Sequence, residues 1–260
     1  MILLDTSHEG LVATLTLNRP EARNALSVEM CDSIVRGLET VDQSEARAVI
    51  IRGAGKVFCS GADLGAVSDS AGALEFLPAF ERMLDAVARF RLPTVAAIHG
   101  AALGGGFQLA TVCDFRLASS DAKIGIPSSK LGILVNFENI ERLVLLAGTA
   151  IAKEMLMTGR TYSGKEAEEA GLVNHRIPPD QLEAATRELA GELAQRAPFS
   201  VQGTKLAVQA IVDHLGNTRS AHRKTVEDID KLVAVVYSSE DLQEGVQALT
   251  EKRVPRFRGH

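Results

Sequence analysis

Short apolar runs alternate with segments of helical spacing through the first half of the sequence, and an α/β arrangement buries both kinds of segment. From Leu11 to Leu17 apolar and small or polar residues nearly alternate, and the run stops at Asn18-Arg19-Pro20, as a strand entering a turn does. Ser27 then precedes Met30, Ile34, Leu38 and Val41 at helical spacing, which predicts a capped amphipathic helix. Arg47 to Arg52 carries Val49, Ile50 and Ile51 and reads as a buried strand, followed by a loop over Gly53 to Ala66. Leu74 to Phe90 is helical by pattern, Thr94 to Ile98 a strand, Gly104 to Ala110 a short helix and Asp114 to Ala118 another strand.

Past Pro127 the pattern turns helical and the sheet is expected to end. Helices are predicted near Phe137 to Ala147, Ala150 to Met157, Lys165 to Ala170, Asp180 to Ala197, Ser200 to Ala210, Arg219 to Val236 and Glu240 to Glu251. A core over 1–197 followed by a helical region over 198–260 is the expected division. The length of 260 residues suits one large domain with such an appendage. A formal net charge of -5 argues against a nucleic-acid partner, because affinity for a phosphate backbone comes from accumulated Lys and Arg. The apolar stretch from Leu92 to Leu117 is interrupted by Pro93, His99, several glycines and Gln108, so no membrane span is expected. The first residues lack the basic start and apolar core of a secretory signal, which makes a cytoplasmic location the expectation. Cys31, Cys59 and Cys113 have neither disulfide nor metal-ligand spacing, and no metal is predicted.

Two loops carry the chemistry: Phe58-Cys59-Ser60-Gly61-Ala62-Asp63-Leu64, and His99-Gly100-Ala101-Ala102-Leu103-Gly104-Gly105-Gly106-Phe107-Gln108. Each lies between a strand and a helix. Glycines there can serve tight turns and close packing alone. They also let backbone approach a ligand and leave N–H groups available to negative charge, which is what an oxyanion hole requires.

The order of motifs resembles the crotonase (enoyl-CoA hydratase/isomerase) family over essentially the full length. Asn18-Arg19-Pro20 with Asn24-Ala25-Leu26 is similar to the family's first turn, and the two glycine loops are similar to its two oxyanion loops. Cys113-Asp114, Ile124-Gly125-Ile126-Pro127, Leu131-Gly132, Thr158-Gly159 and Ala170-Gly171-Leu172-Val173 continue the match in order. The resemblance implies a crotonase-type spiral of ββα turns, a C-terminal helical trimerisation region, and a homotrimer or a hexamer of two trimers. It implies an acyl-CoA thioester as partner, with coenzyme A entering as part of the substrate and no other cofactor. It places the oxyanion donors on the N–H groups of Ala62 and Gly105, and backbone at Glu21, Ala22 and Arg23 beside the CoA adenine end. Asp63 and Leu64 complete the first loop, with Asp63 expected to cap the following helix. Near Phe257, the basic residues Arg253, Arg256 and Arg258 would either meet CoA phosphates, in their own or an adjacent subunit, or stay solvated.

The sequence departs from the family's hydratases where those have two glutamates, one just after the triple glycine and one just after the proline. Here the two substrate-facing positions are Gln108 and Ser128. An amide is no base at neutral pH and a hydroxyl is far too weak an acid, so efficient hydration is not expected, whereas carbonyl polarisation would survive. A third position that carries an acid in other members is Asn136. The nearest carboxylates are Glu138 and Glu141. With the helix start rotated, Glu138 would face the acyl carbons as a base; otherwise Asn136 caps the helix and Glu138 pairs with Arg142 four residues on. Phe76, Leu77, Phe80, Met83 and Leu84 either line an apolar acyl pocket or belong to the core. Two functions are compatible with these residues: an enzyme of the hydratase/isomerase type with atypical proton chemistry, or a catalytically silent acyl-CoA carrier or sensor.

Overall fold

The computed structural model describes residues 1–63, 65, 70–216, 231 and 234–256. Its main sheet has six strands in the order β1 (Ile2–Ser7), β2 (Val12–Leu17), β3 (Ala48–Gly53), β4 (Thr94–Ile98), β6 (Phe115–Ser119) and β9 (His175–Ile177). β1 and β2 form an antiparallel hairpin, and every later strand joins parallel to the one before. Parallel neighbours need crossovers. These are α1 (Val28–Asp42) between β2 and β3, α2 (Ser70–Ala88) between β3 and β4, and α3 (Gly105–Thr111) between β4 and β6. From the third crossover onward the chain also adds to a smaller sheet of β5 (Ala101–Leu103), β7 (Lys123–Gly125) and β8 (Thr161–Ser163). The result is a spiral of turns, each feeding a strand to the main sheet.

Strand sequence explains why both sheet faces are covered. Along β3, Val49 and Ile51 belong to the large core under α1 and α2, while the alternating Ala48 and Ile50 belong to a second core under α6 (Leu182–Gln195). Leu182, Ala190 and Ala194 are the α6 residues that close this second face. A strand buried on both sides reads as a continuous apolar run, as Ala48 to Ile51 does. α4 (Phe137–Thr158) breaks helical geometry at Gly148, which separates the two helical stretches expected in that region. α5 (Gly164–Glu169) carries a capping box between Ser163 and Glu166.

The sheet does not end at Pro127. β8 and β9 both follow it, and β9 extends the main sheet by pairing Leu117 with His175 and Ser119 with Ile177. Each is three residues long, and Thr161-Tyr162-Ser163 and His175-Arg176-Ile177 contain too few apolar residues to show a strand period. β1 was equally silent, because four of its six residues are exposed. β5 lies inside what reads as the second glycine loop. Beyond 197, α7 (Pro198–Gly216) is tied to the core where Lys205 Nζ donates to Asp114 Oδ2 at 2.7 Å and to Leu92 O at 3.0 Å. The helix expected over Arg219 to Val236 lies largely outside the described residues, and the last described helix is Glu240–Thr250.

Asn24 holds the first glycine loop in place. Wholly buried and at φ 54, it donates from Nδ2 to Ala54 O, Val57 O and Phe58 O at 2.8, 2.9 and 3.2 Å, and accepts from Arg19 N at 3.0 Å. Asn is among the residues that tolerate left-handed backbone. Asn24→Ala would strand buried carbonyls, each costing roughly 1–3 kcal/mol. A loss of at least about 2 kcal/mol in urea denaturation is expected; an unchanged midpoint would refute the assigned role.

Candidate active site

Two backbone hydrogen bonds join the glycine loops at Cys59, where Cys59 N donates to Ala101 O and Leu103 N donates to Cys59 O, both at 3.0 Å, and a third runs from Phe58 N to His99 O at 2.9 Å. On the far side of the first loop, Leu26 N donates to Gly61 O and Asp63 N donates to Leu26 O, both at 2.8 Å. Polar groups of successive residues in extended backbone point to opposite sides. With Gly61 O and Asp63 N turned to Leu26, the N–H of Ala62 between them is turned the other way, and it donates to no backbone acceptor among the described residues. Gly105 opens α3, so its N–H has no acceptor within the helix.

The loops can approach this closely because of two glycines. A Cβ at Gly106 would lie 2.5 Å from Cys59 O, and one at Gly61 would lie 2.8 Å from Leu103 O and 3.5 Å from Gly105 N. Gly61 also sits at φ 108, outside the ordinary range of residues with side chains. Ala62 and Gly105 both line one cavity of about 1260 Å³. Glu21, Ala22, Arg23, Ala62, Asp63, Gly105, Gln108, Ser128 and Asn136, all singled out in the sequence, line it together.

Residues 7–260 match the enoyl-CoA hydratase/isomerase family. The chain belongs to that family. It is 34% identical over 247 residues to a probable enoyl-CoA hydratase of Mycobacterium bovis, covering 95% of this chain and 94% of the relative. It is 33% identical over 270 residues to a mitochondrial Delta(3,5)-Delta(2,4)-dienoyl-CoA isomerase of Dictyostelium discoideum, covering 98% and 90%. A solved methylmalonyl-CoA decarboxylase, in complex with 2-nitronate-propionyl-CoA, superposes with a TM-score of 0.89 at 27% identity, covering 100% of this chain and 98% of that one.

In this crotonase-family chain one wall of the cavity is supplied by α2. Phe76 and Phe80 stack with ring centroids 5.4 Å apart and line the cavity with Leu77, whereas Met83 and Leu84 are wholly buried in the core. Gln108 is buried on α3, and its side chain makes no hydrogen bond to the described residues. Ser128 begins a short 3-10 turn over Ser128–Leu131. Asn136 caps α4 by accepting from Asn139 N at 3.1 Å.

Several sequence expectations land elsewhere. Glu138 sits in the first turn of α4 and is not among the cavity-lining residues; the Asn136 cap sets the helix start so that Asn136 and Asn139 face inward instead. Arg142 reaches Glu81 and Asp85 on α2. Asp63 makes the capping bond expected of it, accepting from the N–H of Gly65, a 3-10 residue, at 3.2 Å, and it also pairs with Arg19 at 3.2 Å. Arg256 lies away from the cavity, where its backbone N–H donates to Glu244. Arg253 is held by Glu244 and Glu251, and that pairing keeps the Glu244 carboxyl down at about 2. Leu64, Phe257 and Arg258 lie outside the described residues. The Cys59 thiol is buried, donates to Asn24 O at 3.1 Å and is pushed up to about 12 by burial, as befits packing rather than a nucleophile.

The cavity also holds groups that the sequence did not single out. Lys130 and Lys252 line it beside Arg23, and Glu81 and Tyr237 line its interior. Glu81 stands on the α2 stripe that also carries Leu77, Phe80 and Leu84. A charged residue on an otherwise apolar helix face is the signal that marks it.

Proposed function

We propose that this protein binds an acyl-CoA thioester and polarises its carbonyl between the N–H groups of Ala62 and Gly105. The observation that carries this reading is the convergence of both glycine loops on one cavity, which Ala62 and Gly105 line and where neither N–H has a backbone acceptor among the described residues. Such donors act on charge that develops on the thioester oxygen in the transition state, and removal of one typically costs about a hundredfold to a thousandfold. Arg23, Lys130 and Lys252 give the cavity local positive charge suited to CoA phosphates on an otherwise acidic chain. The relatives named above as hydratase, isomerase and decarboxylase all act on CoA thioesters by their names, and this supports the substrate class without choosing the reaction. The C-terminal region would assemble the chain as a trimer or a hexamer, since α7 exposes Phe199 at 92%, Leu206 at 72% and Ile211 at 61%. Among the described residues no helix is long and apolar enough to cross a membrane.

Acyl-CoA is expected to bind more tightly than the free acid in calorimetry, and Gly105→Pro should abolish the spectral shift of a bound chromophoric enoyl-CoA because proline has no N–H to donate. Absence of heat with any acyl-CoA would defeat the reading. Hydration of crotonyl-CoA by the natural chain should fall well below the roughly tens per second of an ordinary enzyme, and Gln108→Glu combined with Ser128→Glu should raise it. Turnover in the ordinary range would show that the missing glutamates are dispensable. Sedimentation should give a trimer or its dimer, and a monomer at micromolar concentration would exclude both.

A further inference from the structure

Resting on the acyl-CoA reading, we propose that Glu81 is the catalytic proton carrier of this site, moving a proton between carbons of an unsaturated acyl thioester. Its side chain lines the cavity from α2, immediately after Phe80, whose ring a Cβ at Gly105 would meet at 3.2 Å. The carboxylate therefore opens on the same cavity as Ala62 and Gly105, from the helix whose Phe80 ring packs nearest Gly105. Both amides that hold Glu81 fall on one of its oxygens: Asn136 Nδ2 at 3.0 Å and Asn139 Nδ2 at 2.8 Å donate to Oε1. Oε2 makes no hydrogen bond to the described residues, and the Arg142 guanidinium stands 3.6 Å from it. Oε1 is thus held by two amides, and Oε2, ion-paired with Arg142 but without a hydrogen bond among the described residues, is the oxygen offered to a substrate. Of the three carboxylates lining the cavity among the described residues, Asp63 lies in the first glycine loop and Glu21 in the short turn Pro20–Ala22, whereas Glu81 shares α2 with the apolar lining residues Phe76, Leu77 and Phe80.

The step balances with no other reactant. Glu81 Oε2 takes a proton from the α-carbon of a β,γ-unsaturated thioester, and the C–H electron pair moves into the bond to the carbonyl carbon. The thioester oxygen takes the negative charge against Ala62 N–H and Gly105 N–H. Glu81, now a carboxylic acid, returns the proton to the γ-carbon, the carbonyl reforms, and the double bond ends α,β. One carboxylate serves both transfers.

Charges facing Glu81 come from α4, as Arg142 and Glu138, and from Tyr237. Burial raises its carboxyl above the usual 4.5, opposed by the Asn139 and Asn136 amides and by Arg142, with Glu138 adding to the rise. The base form is lost as pH falls through that raised value, so activity should climb with pH along a limb lying above the ordinary carboxylate range.

The test uses but-3-enoyl-CoA, whose conversion to crotonyl-CoA and whose deuterium uptake in D2O are followed by NMR, with calorimetric binding in parallel. The natural chain should convert and exchange, and Glu81→Gln should lose at least about a hundredfold in both while acyl-CoA affinity stays within about twofold. Retention of conversion within tenfold in Glu81→Gln, or binding by the natural chain with neither conversion nor exchange, would overturn the assignment of Glu81 alone. Failure of the natural chain to bind any acyl-CoA would instead overturn the substrate reading. If Glu81→Gln does not fold, Asn139→Leu decides: losing an amide that favours the charged form should move the acid limb of the natural chain to higher pH, and a limb that stays put would refute the proposal.

Discussion

The backbone pairing of Cys59 with Ala102 is the contact on which the site depends. It costs no side-chain chemistry, only two ordinary N–H to carbonyl bonds, yet it sets two loops from successive crossovers within reach of one ligand atom. Each loop would otherwise present a single N–H, and an oxyanion needs both from fixed directions. Gly106 lets the pairing close, because any side chain there would collide with Cys59 O. Asn24 supports the arrangement from behind by bonding the carbonyls that lead into the first loop, so that the loop's shape is set by protein before any ligand arrives.

This dependence explains what could be read in the sequence. β2, β3, β4, β6 and the helices α1, α2 and α6 came through as periodic apolar patterns, since each buries a face large enough to need one. The glycine loops came through as glycines, because close backbone approach admits little else. β8 and β9 gave no such sign: they are brief, and β9 is held by edge pairing rather than burial. Leu64 and most of the segment from Arg219 to Val236 stay outside the described residues.

Glu81 was hidden for a different reason. Its environment is assembled from Asn136, Asn139 and Arg142, more than fifty positions along the chain. Neither helix alone says that they meet. The reading in which Glu138 faces the cavity fails on a matter of phase, because the Asn136 cap fixes where α4 begins and turns the two asparagines, not Glu138, toward the cavity. A hundred degrees of rotation per residue separates a group in the cavity from one beside it.

Gln108 and Ser128 bear on the charge of the cavity as well as on its chemistry. Two carboxylates sharing a small buried site repel, and one is driven toward its neutral form. These positions line the cavity as an amide and a hydroxyl, so Glu81 enters it from α2 with no carboxylate neighbour at either, facing the Arg142 guanidinium at 3.6 Å. Under the proposed reading, backbone N–H groups would polarise the carbonyl whichever wall of the cavity supplied the proton-bearing group, and the fold by itself does not choose that wall.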